Sequence, residues 1–203
     1  MGIILSIIIS YLLGSISFSY IIAKKIKKVD IRQHGSGNAG ATNTLRVLGV
    51  GPAVTVLLLD ALKGVVAVLI ALSIEGPGIA PVLAGFAAVI GHNWPLFHGF
   101  RGGKGVATTI GMIATIVFIP ALLAGIIAIL TIVITRFVSL GSLLFVLFTA
   151  IFTFIFLDYY QYPISYFYLA CIVALLSFWR HRTNIVRLIQ GTENKIGKKE
   201  KTT

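Results

Sequence analysis

GVATTIGMIATIVFIPALLAGIIAILTIVIT, residues 105–135, is an apolar run broken once, at Pro120. A helix needs about 20 apolar residues to cross a bilayer, so roughly 30 are too many for one span and too few for two full ones. The flanking sequence decides between them. Upstream, residues 3–23, 52–73 and 79–97 are each apolar enough to span, and downstream so are 140–157 and 163–179. If the run folds as a hairpin hinged near Pro120, residues 105–119 leave and 121–135 return. The basic clusters at 24–32, 101–104 and 180–201, together with Arg46 and Arg136, then all fall on one side. Only Glu75 and Asp158 remain in the connections on the other side. A single helix would throw Arg136 and its successors into the wrong compartment, against the positive-inside rule. Proline supplies the break because it removes a helix hydrogen bond. The expected fold is all-α and polytopic, with about seven transmembrane helices, the two central ones short, the N-terminus outside and the C-terminus inside. Two short helices would thin the bilayer locally and bring a polar site close to an acyl chain.

Composition agrees. Hydrophobic residues make up 57% of the 203 and charged residues only 11%, far below the roughly 25% of soluble domains. A net charge of +11 in so apolar a chain reads as inner-face anchoring and binding of anionic substrates or head groups, not nucleic acid. The one cysteine, Cys171, lies in an apolar run and is expected to be inert. The N-terminus is longer than a signal-peptide core and lacks a clear cleavage site, so it reads as a retained first helix. One domain is expected over 1–203, with 193–203 a basic cytoplasmic tail.

Two glycine-rich stretches open onto apolar runs: HGSGNAGATNTLRVLG at 34–49 and HGFRGGKGVATTIG at 98–111. A glycine-rich turn that opens a helix gathers free N–H groups and the positive end of the helix dipole at one point. In the first stretch Ser36, Gly37, Asn38, Thr42 and Asn43 can bond a ligand, and Arg46 can fork onto phosphate oxygens. In the second, Arg101 and Lys104 bracket Gly102 and Gly103, whose missing side chains let a ligand touch backbone. The pair reads as two phosphate cradles on the inner face. Nucleotide binding of the Walker type is excluded, because Lys104 is followed by Gly105 and not by Ser or Thr.

Other polar residues are fewer. His92, Asn93 and Trp94 precede Pro95 at the inner end of the third helix, and His34 and His98 sit at the loop mouths. His92 can act as a base near neutral pH or bond a phosphate, or it can be structural. Asp60 and Lys63 lie close to mid-bilayer, about 16 Å along the second helix, and share a face at i, i+3. They read as support for a site or as a helix-locking pair. Ser139 and Ser142 flank Gly141 after Arg136, a third polar helix start. At the chain's end Arg180, His181, Asn184, Arg187 and Glu193 form a polar face that can fold back to close a site, before a basic KKEKTT tail.

These residues closely resemble the bacterial acyl-phosphate:glycerol-3-phosphate acyltransferase family over nearly the whole chain. Three motifs carry the likeness: GSGNAGATNTLR at 35–46, GHNWPLFHGFRGGKGVAT at 91–108 and HRTNIVRLIQGTENK at 181–195. The family's second motif usually has Lys at the place of Arg101, which keeps the charge. The resemblance implies transfer of an acyl group from acyl phosphate to sn-glycerol 3-phosphate, giving lysophosphatidic acid and phosphate, the first acylation of phospholipid synthesis. It implies catalytic roles among His92, Lys104, His181 and Asn184. Substrate contacts would fall to Ser36, Gly37, Asn38, Asn43, Arg46, Arg101, Gly102, Gly103, Ser142, Arg180, Arg187 and Glu193. A monomer in the bacterial cytoplasmic membrane is expected, with its site facing the cytoplasm.

The His-x4-Asp dyad of soluble-type glycerolipid acyltransferases is missing, since Phe97 stands where the Asp would be. Acyl phosphate is already activated, so direct attack in a ternary complex is expected, with no acyl-enzyme, metal or cofactor. The sequence leaves open whether the proton passes to His92, His181 or the departing phosphate, and which cradle takes which phosphate. A transporter of a phosphorylated solute is the alternative, though transporters place their sites near mid-membrane, where only Asp60 and Lys63 lie. A non-catalytic scaffold fits the density of phosphate-binding residue types poorly.

Overall fold

The break in the decisive run falls at Val117, three residues before the proline. A computed structural model describes residues 1–197. In it, helix α6 (Val106–Ile116) stops at Val117 and helix α7 (Phe118–Thr135) begins at once. Pro120 lies in the first turn of α7, where its absent N–H has no helical partner to lose. The expectation of two short central helices is corrected accordingly. Only α6, with 11 residues, is short, and α7, with 18, is long and apolar enough to cross. All described secondary structure is helical. Five helices qualify as spans, or six if one bent pair near the C-terminus is a single span.

The chain forms two units, residues 1–116 and 117–203. The first contains α1 (Gly2–Gly14), α2 (Phe18–Lys27), α3 (Ala41–Leu48), α4 (Val50–Glu75), α5 (Ile79–Asn93) and α6. The first apolar run, expected to be one helix over 3–23, is broken at Ser15–Ser17 between α1 and α2. The carbonyls freed there by Gly14 and Ile16 accept hydrogen bonds from the buried Lys63 ammonium of α4, each at 2.9 Å. The first glycine stretch does not feed the long helix directly. It opens α3, a separate amphipathic helix that Gly49 divides from α4 at a φ of 91°.

Within this unit α1 packs on α4 and α5, and α4 on α5 and α6. Small residues let the backbones approach: a Cβ at Gly111 would collide with the Ala61 carbonyl, and one at Gly64 with that of Thr108. Outward-facing Leu58, Leu62 and Leu69 of α4 stay exposed, as an apolar solvent would favour.

In the second unit α7 packs on α8 (Val138–Ile155), and α8 on α9 (Ile164–Arg180). At His181 the chain turns by 63° into α10 (Arg182–Ile189), which meets α8 and α9. The tail expected from 193 is anchored at its start: Ile196 N–H donates to the Arg136 carbonyl at 2.8 Å, and the Lys195 ammonium lies 5.4 Å from the centre of the Phe137 ring. The KKEKTT segment, 198–203, lies outside the described residues.

Candidate active site

Most polar residues of the first unit hold the two glycine loops in place. The first loop is built around Asn43, which is buried in α3. Its Oδ1 accepts from Ser36 N–H at 2.8 Å, and its Nδ2 donates to the carbonyls of Ile31 (3.0 Å) and His34 (2.9 Å). Asn43, expected to contact substrate, uses its amide to brace the loop. Gly37 bends at a φ of 71°, and its N–H is bonded to the His34 carbonyl. The exposed Ser36 hydroxyl and the partly buried Arg46 guanidinium have no hydrogen-bond or ion-pair partner among the described residues. The α3 N-terminus begins at Gly40 without a side-chain cap, so no side chain at that position satisfies its first N–H groups.

The second loop folds back on the end of α5. Gly102 N–H donates to the Asn93 carbonyl (3.3 Å) and Gly103 N–H to that of His92 (3.1 Å). These carbonyls belong to the last turn of a helix, which leaves them unpaired unless something else donates. These two glycines thus use their N–H groups within the fold. They are glycine because a Cβ at Gly102 would strike the His92 carbonyl, and one at Gly103 would strike His92 Nε2 and the Ala39 carbonyl. Ala39 belongs to the first loop, so the two loops touch backbone to backbone. Lys104 follows, half-buried, while Arg101 is exposed and has no ion-pair partner among the described residues.

A clamp that the sequence reading missed joins the loops a second time. Arg32 binds Asp30 through Nε (2.9 Å) and Nη2 (2.7 Å), and its Nη1 donates to the His98 carbonyl at 2.7 Å. The guanidinium also lies over the Tyr20 ring, which packs against the His98 ring. The Arg32 hydrogen bonds hold the Asp30 carboxyl below the usual carboxylate range. An Asp-x-Arg pair at a helix mouth was visible in the chain, but its reach to residue 98 was not.

Beneath the second loop lies a buried polar knot. Lys63 Nζ is 2.9 Å from Asp60 Oδ1 and 2.9 Å from His92 Nδ1. The sequence paired Asp60 with Lys63 but gave no sign that His92 joins them.

In the second unit, Glu193 collects three donors: Ser139 Oγ (2.8 Å) and Asn184 Nδ2 (2.6 Å) on Oε1, and Arg187 Nε (2.8 Å) on Oε2. Burial alone would raise this carboxyl, but the bonds from Arg187, Asn184 and Ser139 outweigh it and hold the pKa below the ordinary glutamate value. Ser142 and Ser139 are held differently. The Ser142 hydroxyl bonds the Val138 carbonyl of its own helix at 2.9 Å, while Ser139 reaches Glu193. His181 is buried, with Nδ1 2.8 Å from the Ser177 carbonyl. That nitrogen must carry the proton, so a neutral ring presents Nε2 as an acceptor. Arg180 stands at the end of α9 beside it.

A helical, lipid-compatible chain with two clasped basic loops defines a membrane protein that handles phosphorylated ligands. The glycerol-3-phosphate acyltransferase family profile matches residues 4–191, and the chain belongs to that family. It is 67% identical to the glycerol-3-phosphate acyltransferase of Halalkalibacterium halodurans over 98% of both chains, and 62% identical to that of Shouchella clausii over the same shares. The crystal structure of PlsY (YgiH), an integral membrane glycerol 3-phosphate acyltransferase, in its glycerol 3-phosphate form superposes with a TM-score of 0.90 at 39% identity, covering 97% of this chain and 96% of that one. Its lysophosphatidic acid form gives 0.87 at 37% identity over the same shares.

Proposed function

We propose that the protein transfers an acyl group from an acyl phosphate to a hydroxyl of sn-glycerol 3-phosphate, releasing lysophosphatidic acid and inorganic phosphate. The observation that carries this reading is the first unit's clasped pair of loops. Its Arg46 and Arg101 guanidinium groups and Ser36 hydroxyl have no partner among the described residues, and α3 starts without a side-chain cap. Guanidinium groups and first-turn N–H groups of a helix are the kinds of donor that suit a doubly charged phosphate. Family membership supports the acceptor, because the related PlsY was solved in a glycerol 3-phosphate form.

The reaction is direct. The glycerol hydroxyl oxygen bonds to the acyl carbon, the bond from that carbon to the phosphate oxygen breaks, and the hydroxyl proton ends on the released phosphate. No acyl-enzyme, metal or cofactor takes part. Lys104, Arg101, Arg46 and Ser36 bind phosphate and neutralise the charge that develops on the leaving group. His181, Asn184, Arg180, Arg187 and Glu193 of the second unit also act on substrate, with Glu193 keeping Arg187 and Asn184 oriented.

The single domain crosses the bacterial cytoplasmic membrane seven times, N-terminus outside and C-terminus inside, as a monomer with its site toward the cytoplasm. Helix α6, about 16 Å long, is one of the seven passes and falls short of the ~30 Å core. Within the first unit it packs on α4 and α5, as a short helix in a bilayer requires.

Purified protein given palmitoyl phosphate and glycerol 3-phosphate tests the reading. Acceptor-dependent phosphate release in the parent, lowered at least 100-fold in Lys104→Ala, is expected. Equal release by parent and variant would overturn the assignment of Lys104.

A further inference from the structure

We propose that Lys63 is a positioning residue that locks His92 in a single tautomer, with the ring proton on Nε2. His92 is thereby a fixed hydrogen-bond donor toward the second glycine loop and not the acceptor of the substrate's proton. The inference deepens the acyltransferase reading and rests on it for its kinetic test alone.

Lys63, Asp60 and His92 are all buried, at 2%, 1% and 6% exposure. Three acceptors take hydrogen bonds at 2.9 Å from the Lys63 nitrogen, the Gly14 and Ile16 carbonyls and His92 Nδ1, while Asp60 Oδ1, also at 2.9 Å, is its ion-pair partner outside hydrogen-bond geometry. An ammonium has protons to give and no lone pair to offer, so His92 Nδ1 meets it with its own lone pair. The three protons of the ammonium match these three acceptors.

The alternatives fail on geometry. A proton on Nδ1 would point at the ammonium, and Asp60 Oδ1 is 3.6 Å from that nitrogen, too far for a hydrogen bond. An imidazolium fails in the same way, since both its nitrogens carry protons. An uncharged Lys63 could accept from Nδ1–H, but its two remaining protons would serve Gly14 and Ile16. Asp60 Oδ1 would then face a bare nitrogen at 2.9 Å.

The proton therefore sits on Nε2, which abuts Gly103. No other residue fits there, because a Cβ would collide with that nitrogen. The Gly103 N–H is itself bonded to the His92 carbonyl. Ring and backbone of His92 thus grip the residue before Lys104 from two sides. Lys63 acts on the loop through this grip, from the same nitrogen that secures the α1–α2 break.

Long-range proton–nitrogen correlation spectra of the purified protein, labelled with nitrogen-15 at histidine, report ring tautomers directly. The His92 signals are assigned by their absence in His92→Gln. The Nε2–H tautomer at neutral pH is expected, lost or averaged in Lys63→Met. An Nδ1–H or doubly protonated ring in the parent would overturn the proposal, as would an unchanged ring in Lys63→Met. If Lys63→Met does not fold, the parent spectrum still decides. Kinetically, kcat of the Lys63→Met/His92→Gln pair should lie within about threefold of the slower single variant, because both changes remove one device. Losses that multiply would mean that Lys63 acts elsewhere. A parent chain without acyl transfer would defeat the acyltransferase reading, while the spectra would still rule on the tautomer.

Discussion

Gly103 shows how the fold itself can demand a glycine that spacing reads as a ligand contact. Glycines beside Lys104 suggested backbone open to a ligand. The folded chain instead has Gly103 pressed between His92 Nε2 and the Ala39 carbonyl, its N–H already donated. Gly103→Ala should therefore lower kcat at least tenfold and reduce Tm, since the added Cβ must separate the loops. Unchanged melting would contradict the close approach. Asn43 makes the same point. Asn43→Ala removes the acceptor of the Ser36 N–H and one of two donors on each of the Ile31 and His34 carbonyls, at roughly 0.5–1.5 kcal/mol for each lost hydrogen bond. A fall of several degrees in Tm is expected, and a substitution without effect on stability would return Asn43 to the role of ligand contact. Spacing alone named Asn43, Arg46, Asn184 and Glu193 as polar residues of interest. It could not tell a brace from a ligand contact, because that depends on which acceptors the fold leaves unpaired.

At the scale of elements, hydropathy and proline announced a break within 105–135 but not its position. Proline marks a break most often by standing just inside the next helix, where its fixed φ suits the first turn. Pro120→Ala should change stability by no more than about 1 kcal/mol, as thermal melting would show. A larger stabilisation would mean the proline strains the helix after all. The split of the first apolar run was also illegible, because Lys63, far along the chain, supplies the donors that make a break at Ser15–Ser17 tolerable. The Arg32–Asp30 clamp makes a pH prediction. Arg32 lowers the folded pKa of Asp30, so the clamp's contribution is complete above the unfolded carboxylate value, about 3.9. It is lost as pH falls through the folded value. Melting of the parent and of Asp30→Asn should differ at pH 6 and converge towards pH 3, and a gap that widens on acidification would contradict the clamp.

For the whole molecule, composition and the one-sided placement of basic residues indicated a helical membrane chain before any motif was read. The family emerged from three motifs because phosphate chemistry leaves few substitutes for Arg, Lys, Ser and Gly in close spacing. What the sequence could not convey was division of labour within each unit, where loops, clamp and buried knot depend on contacts between distant residues. The seven-pass topology is open to test with Cys171→Ala carrying single cysteines. A cysteine at Lys28 should react with impermeant reagent only from the cytoplasmic side, and one at Asp158 only from outside.

The central claim is direct acyl transfer from acyl phosphate to glycerol 3-phosphate, and its most direct test is the stoichiometry of a single turnover. Purified protein in excess over palmitoyl phosphate should release no phosphate until glycerol 3-phosphate is added, and then form one lysophosphatidic acid per phosphate released. Phosphate released before the acceptor arrives would reveal an acyl-enzyme or a hydrolase. Absence of both products would contradict the account and favour a carrier of phosphorylated solutes.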